Sequence, residues 1–125
     1  MKEKNNLTDS IYRFKGEWDM DSQCGLKIHR AKNGMTIVIA TDLYNENPGT
    51  SVTRWNAPLA TAIAAEYQIP HNKLYFIEHT PDRGSKLTFY TETFYHVSFL
   101  SDGEKLVDPN WEKLTREEVE TMLSS

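Results

Sequence analysis

Residues 24–41 read CGLKIHRAKNGMTIVIAT, and their pattern decides the fold. Leu26 and Ile28 alternate with Lys27 and His29, the two-residue period of a half-buried strand. Asn33-Gly34 then interrupts the run. Both residues accept the positive φ angles of a tight primed turn, so the chain should reverse there. The returning segment, Met35 to Thr41, carries Ile37, Val38 and Ile39 in succession. Strand side chains point alternately to the two faces, so an unbroken apolar run implies cover on both. The expectation is a hairpin whose second strand is central to a sheet.

Upstream, IYRFKGEW from Ile11 sets Tyr12 and Phe14 against Arg13 and Lys15, a further strand pattern. Asp19 to Gln23 reads as a polar turn. Residues 1–10 are polar and without period, which suits a flexible tail and leaves 11–125 as a single domain. Downstream, Tyr44 to Tyr67 joins the central strand to an alanine-rich helix. Asn56 is a good N-cap and Pro58 fits a first turn, so the helix should begin near Asn56. Leu59, Ile63 and Tyr67 supply its apolar stripe, and Ile69-Pro70-His71-Asn72 ends it.

KLYFIEH, ending at His79, is a short aromatic strand, and Thr80 to Ser85 is a turn with Pro81 and Gly84. KLTFYTETFYHVSFL exceeds the usual strand length, so a break is expected near Thr91 to Thr93. Ser101 to Glu104 makes a turn, and Lys105-Leu106-Val107 a brief strand. Trp111 is expected to pack the C-terminal helix onto the sheet. Thr115 and Glu118 form a capping box ahead of Val119, Met122 and Leu123. The order predicts an α+β fold. Its mainly antiparallel sheet of about five strands carries one long helix across a face and a short C-terminal helix at an edge.

A net charge of −4 and a pI near 5.5 argue against sequence-independent nucleic-acid binding, which needs a basic footprint. Cys24 is alone, so it forms no internal disulfide and no zinc pattern, and it reads as a small buried thiol. The opening MKEKNNLTDS lacks a leader's apolar run, and no stretch approaches a membrane span of roughly 20 apolar residues. A soluble cytoplasmic protein without membrane association is the expectation.

The chemistry concentrates in NPGTSVTR, residues 47–54. Thr50, Ser51 and Thr53 offer hydroxyls, the loop offers backbone N–H groups, and Arg54 offers a planar cationic fork for phosphate or carboxylate. The loop lacks the Gly-Lys-Ser/Thr ending of a Walker A motif and the spaced glycines of a dinucleotide fingerprint. A plain turn whose hydroxyls cap the next helix is the other reading. Trp55 could stack on a planar ligand or bury in a homodimer contact. Glu78 and His79 close a strand and, being adjacent, face opposite ways. Arg83 is a second cation beside them.

His96-Val97-Ser98 has the form of one half of a two-histidine phosphoesterase signature, but no second half accompanies it. No metal-ligand spacing occurs among His71, His79, Asp82 and Asp42, and no nucleophile elbow anchors a triad. No cofactor is expected, and catalytic residues are not assigned.

Taken together, NPGTSVT before an alanine-rich helix, a strand ending Ile77-Glu78-His79 two residues before Pro81, then Glu92-Thr93-Phe94 and Pro109-Asn110-Trp111 form a pattern. It resembles an uncharacterised family of small bacterial and mobile-element proteins with an NPGTSVTN…WIEHYP pattern. The resemblance spans roughly Ile37 to Trp111. Arg54-Trp55-Asn56, Phe76 and Thr80 depart from it. It implies that loop and strand end belong to one site, and that the protein has a phage or plasmid accessory role. Two functions stand: a binding module for a small anionic, nucleotide-like ligand through Thr50, Ser51, Thr53, Arg54, Trp55, Glu78, His79 and Arg83, or an interaction factor that acts on a host protein.

Overall fold

The computed structural model describes residues 7–15, 21–42, 52–81 and 92–125, with the backbone alone at 14–15, 21–22 and 52–56. Six strands form one sheet in chain order: β1 (Ser10–Lys15), β2 (Asp21–Arg30), β3 (Thr36–Asp42), β4 (Leu74–Thr80), β5 (Thr93–Asp102) and β6 (Lys105–Leu114). Every neighbouring pair is antiparallel except β3 and β4, which run parallel. A parallel pair needs a crossover; here α1 (Val52–Glu66) provides it. The fold is therefore α+β with a mainly antiparallel sheet, six strands rather than about five.

The hairpin at Asn33-Gly34 forms, but not through a primed turn: of the two residues only Gly34 has a positive φ, and its N–H donates to Ala31 O. Gly34 takes φ +93°, and Asn33 Oδ1 accepts from the Met35 N–H at 2.9 Å. All seven residues of β3 are buried. Val38 and Ala40 join Leu26, Phe76 and Val97 under α1. Ile37 and Ile39 join Ile77, Phe94 and Leu114 on the other face, where α2 (Arg116–Leu123) inserts Val119. Each face of the sheet thus has its own helix and core. The C-terminal helix lies across a face and not at an edge, because Val119 is 1% exposed among those residues. Its capping box is formed as expected: Thr115 Oγ1 accepts from the Glu118 N–H, and Glu118 Oε1 from the Thr115 N–H.

Three boundaries differ from the sequence reading. Helix α1 starts at Val52, four residues before Asn56, and takes Pro58 inside it. Burial of Leu59 and Ile63, roughly 1.5–3 kcal/mol each, anchors a helix that extends past Pro58 with one backbone bond lost. Strand β2 begins at Asp21, where a turn was expected, because its pairing with β1 continues to Lys15↔Asp21. Strand β6 runs ten residues rather than three, through Pro109 and Trp111. It is an edge strand, where a missing N–H is tolerated, and the positive φ of Asp108 sits beside the proline.

Helix α1 ends without a glycine. Gln68 takes the left-handed conformation (φ 57°), its N–H donates to Ala65 O, and the Ile69 N–H donates to Ala64 O. That is the two-bond Schellman pattern, held by burial of Ile69. At the far edge Leu7 is buried and the Asp9 N–H donates to Leu26 O, so the segment before β1 lies along β2. Gly25 admits this approach: a Cβ there would stand 2.7 Å from the Thr8 side chain.

Candidate functional site at the carboxyl ends of β3 and β4

A core strand ordinarily ends in apolar or solvated residues. Here β3 ends in Thr41 and Asp42, and β4 carries Glu78 and His79 near its end; all four are buried, at 4%, 1%, 4% and 4% exposure. Because the two strands are parallel, these residues share one rim, in register Ala40↔Glu78 and Thr41↔His79. Alternation divides them. Asp42 and Glu78 share the face of Ala40 and Phe76, which α1 covers; Thr41 and His79 share that of Ile39 and Ile77, which α2 covers.

On the α2 face the polar groups form a chain. His79 Nε2 stands 2.8 Å from Glu92 Oε2, and His79 Nδ1 stands 3.0 Å from Thr41 Oγ1. Arg116 at the start of α2 donates to both oxygens of Glu92, Nε to Oε1 at 2.9 Å and Nη2 to Oε2 at 3.0 Å, and Nη1 donates to Glu120 at 3.0 Å. Burial pushes the Glu92 pKa up, but the hydrogen bonds and charges of Arg116 and His79 outweigh it and hold the carboxyl below the usual carboxylate range. An ionised Glu92 only accepts, so Nε2 carries the proton, and in the neutral ring Nδ1 accepts from the Thr41 hydroxyl. Phe94 fixes the ring plane, stacked on His79 at 4.4 Å with the Arg116 guanidinium 5.7 Å from its centroid. The imidazole is thus held by three contacts, to Thr41, Glu92 and Phe94.

On the α1 face Glu78 Oε1 accepts from the Trp111 indole N–H at 2.9 Å. Trp111 therefore reaches the sheet's carboxylate and not the C-terminal helix, because on β6 it pairs with Val97 and shares that residue's face. Asp42 pairs with Cys24 across β2 and β3. Burial, with the Asp42 charge added, pushes the Cys24 thiol up to about 12, so it stays protonated. The buried-thiol expectation for Cys24 holds.

Of the residues expected to bind ligand, Glu78 and His79 are placed at this rim, on opposite faces. Thr50, Ser51 and Arg83 lie outside the described residues. Thr53, Arg54 and Trp55 belong to the first turn of α1, where the backbone alone is described. Turn residues 82–85 and the start of the break expected near Thr91 to Thr93 also lie outside the described residues, and β5 begins at Thr93. Thr41, Asp42, Glu92 and Arg116 were not singled out as site residues. One signal was visible: the three short motifs at 77–79, 92–94 and 109–111 meet here, through the Glu78–Trp111, His79–Glu92 and His79–Phe94 contacts.

His96 stacks on Tyr75 at 3.8 Å, a strand contact that fits its structural reading. Among the described residues no group of three or more His, Cys, Asp or Glu could hold a metal ion, and no helix is long and apolar enough to cross a membrane. No protein-family model, no curated protein and no solved structure matches the chain.

Proposed function

We propose that this chain is a small cytoplasmic ligand-binding domain for an anionic, nucleotide-like molecule, with its site at the carboxyl rim of β3 and β4. The observation that carries the reading is the placement of four buried polar side chains, Thr41, Asp42, Glu78 and His79, at that rim. In sheets with a parallel crossover, ligands settle beyond the carboxyl ends of the strands, beside the start of the crossover helix. Buried polar groups cost free energy that an apolar core avoids, so four together at this rim favour a binding role over a packing one.

The two halves of such a ligand call for different partners. Asp42 and Glu78, buried behind the rim, repel phosphate there and so direct the sugar or base of the ligand, and not its phosphate, to this side. The anion falls to the NPGTSVTR loop, the helix start and Arg54. His79 orients the rim from the opposite face. Arg54→Ala should weaken nucleotide binding at least tenfold in calorimetry, about 1.4 kcal/mol. A thermal-shift panel of nucleoside mono-, di- and triphosphates in which nothing raises the melting temperature overturns the proposal, since ligand at 100 times its Kd adds about 2.7 kcal/mol.

A second reading is an interaction factor of a phage or plasmid that acts on a host protein, as the family resemblance suggests. Leu100 and Trp111 are 63% and 42% exposed. A groove of about 590 Å³ beside α1 and β6, lined in part by Ala57, Pro58, Ala62, Leu106 and Val107, offers an apolar seat for a partner's side chain. Capture of one defined host protein, lost in Leu100→Asp, would favour it.

A further inference from the structure

At the opposite end of the sheet, the short 3-10 turn His71–Lys73 leads into β4. The antiparallel register Phe76↔Val97 carries the end of β5 back past that turn. It brings Ser101 Oγ to 2.6 Å from His71 Nδ1. Ser101 is exposed and His71 half-buried. They open on a groove of about 500 Å³ lined also by Asn72, Phe99 and Leu106, within the range of small-molecule sites. The hydroxyl–imidazole–carboxylate chain Thr41–His79–Glu92 has a fuller set of partners, but at 4% exposure its hydroxyl meets no substrate. The reachable hydroxyl is that of Ser101.

We propose that Ser101 and His71 form a nucleophile–base dyad that takes acyl groups from activated esters, aryl esters above all. A serine hydroxyl is a weak nucleophile until a base within hydrogen-bond reach takes its proton, and Nδ1 of His71 is so placed. Phe99 and Leu106 give the aryl group an apolar wall. The Ser101 oxygen bonds to the ester carbonyl carbon while its proton passes to His71 Nδ1. The intermediate then collapses, the bond to the aryl oxygen breaks, and His71 returns the proton to the leaving group. Water attacks the acyl-serine through the same imidazole and releases the carboxylic acid. Among the described residues no carboxylate bonds the other ring nitrogen of His71 to support the imidazolium that forms. The dyad therefore acts on good leaving groups and not on amides.

The test is labelling of the full chain by a fluorophosphonate probe, in which the serine oxygen bonds to phosphorus and fluoride leaves, with the site identified by peptide mass spectrometry and p-nitrophenyl acetate turnover measured in parallel. The expected label is on Ser101, absent in Ser101→Ala and roughly a hundredfold slower in His71→Gln. Ser98→Ala should label like the parent, since Ser98 Oγ donates instead to Asn110 O at 3.4 Å. Melting curves confirm that the variants are folded, and His71→Asn replaces His71→Gln if the latter melts early. No label at Ser101, an unchanged rate without the imidazole, or turnover that persists in Ser101→Ala overturns the proposal.

Discussion

Replacement of Thr61 by valine tests how the edge of the sheet is closed. Strand β6 is an edge, and the Leu106 backbone N–H is directed outward, away from β5. Thr61 Oγ1 in α1 accepts that N–H at 2.9 Å and donates its own proton to Ala57 O at 2.8 Å. Thr61→Val keeps shape, β-branching and nearly the same helix propensity. What it removes is the acceptor. Leu106 is 5% exposed, so its N–H is left unsatisfied at about 1–3 kcal/mol. The site opens partly to the α1–β6 groove, which favours the lower half, about 1–2 kcal/mol. For 125 residues, unfolding entropy near 2.1 cal/mol/K per residue sums to about 260 cal/mol/K, so each kcal/mol lowers the melting temperature by ~4 °C. The expected loss is ~4–8 °C. Amide hydrogen exchange gives the direct readout: Leu106 should lose protection in Thr61→Val and keep it in Thr61→Ser. Equal protection in both variants would refute the argument, whatever the melting temperatures.

Two further predictions concern the other face and the helix end. Glu92 titrates below its ordinary value of 4.5 in the folded chain, so its stabilisation is present above that pH and is lost as pH falls through the lowered folded value. The stability gap between the parent and Glu92→Gln, followed by urea unfolding, should be widest at neutral pH and narrow below about 4.5; a constant gap down to pH 3 would contradict the network. Gln68→Gly relieves a left-handed non-glycine residue at the α1 cap and should stabilise by about 0.5–1 kcal/mol, whereas a lower melting temperature would show that the Gln68 side chain contributes more than its backbone costs.

The sequence by itself determined the elements whose signal is local. Asn33-Gly34 fixed a hairpin because glycine readily takes the positive φ that the loop needs at Gly34 and the Asn33 side chain bonds the Met35 N–H, and Thr115 with Glu118 fixed a helix start because both bonds lie within one turn. The buried run Ile37-Val38-Ile39 implied cover on both faces, which is how β3 sits. These gave the α+β class and the mainly antiparallel sheet. Signals that depend on distant partners were not legible. The Asn56 cap and Pro58 argued locally for a late helix start, but packing of the Leu59–Ile63 stripe decided α1. Lys105-Leu106-Val107 read as only a brief strand, yet β6 runs on to Leu114, because at an edge the missing N–H of Pro109 is harmless.

The candidate site divides the same way. Glu78 and His79 were visible as charged and aromatic residues closing a strand, and alternation placed them on opposite faces. That His79 would meet Thr41, Glu92 and, through Glu92, Arg116, and that Glu78 would meet Trp111, follows only from sheet register and the seating of α2. Sequence separations of 13 to 38 residues between these partners are closed by tertiary pairing. No local propensity encodes them, because each partner alone reads as an ordinary strand or helix residue.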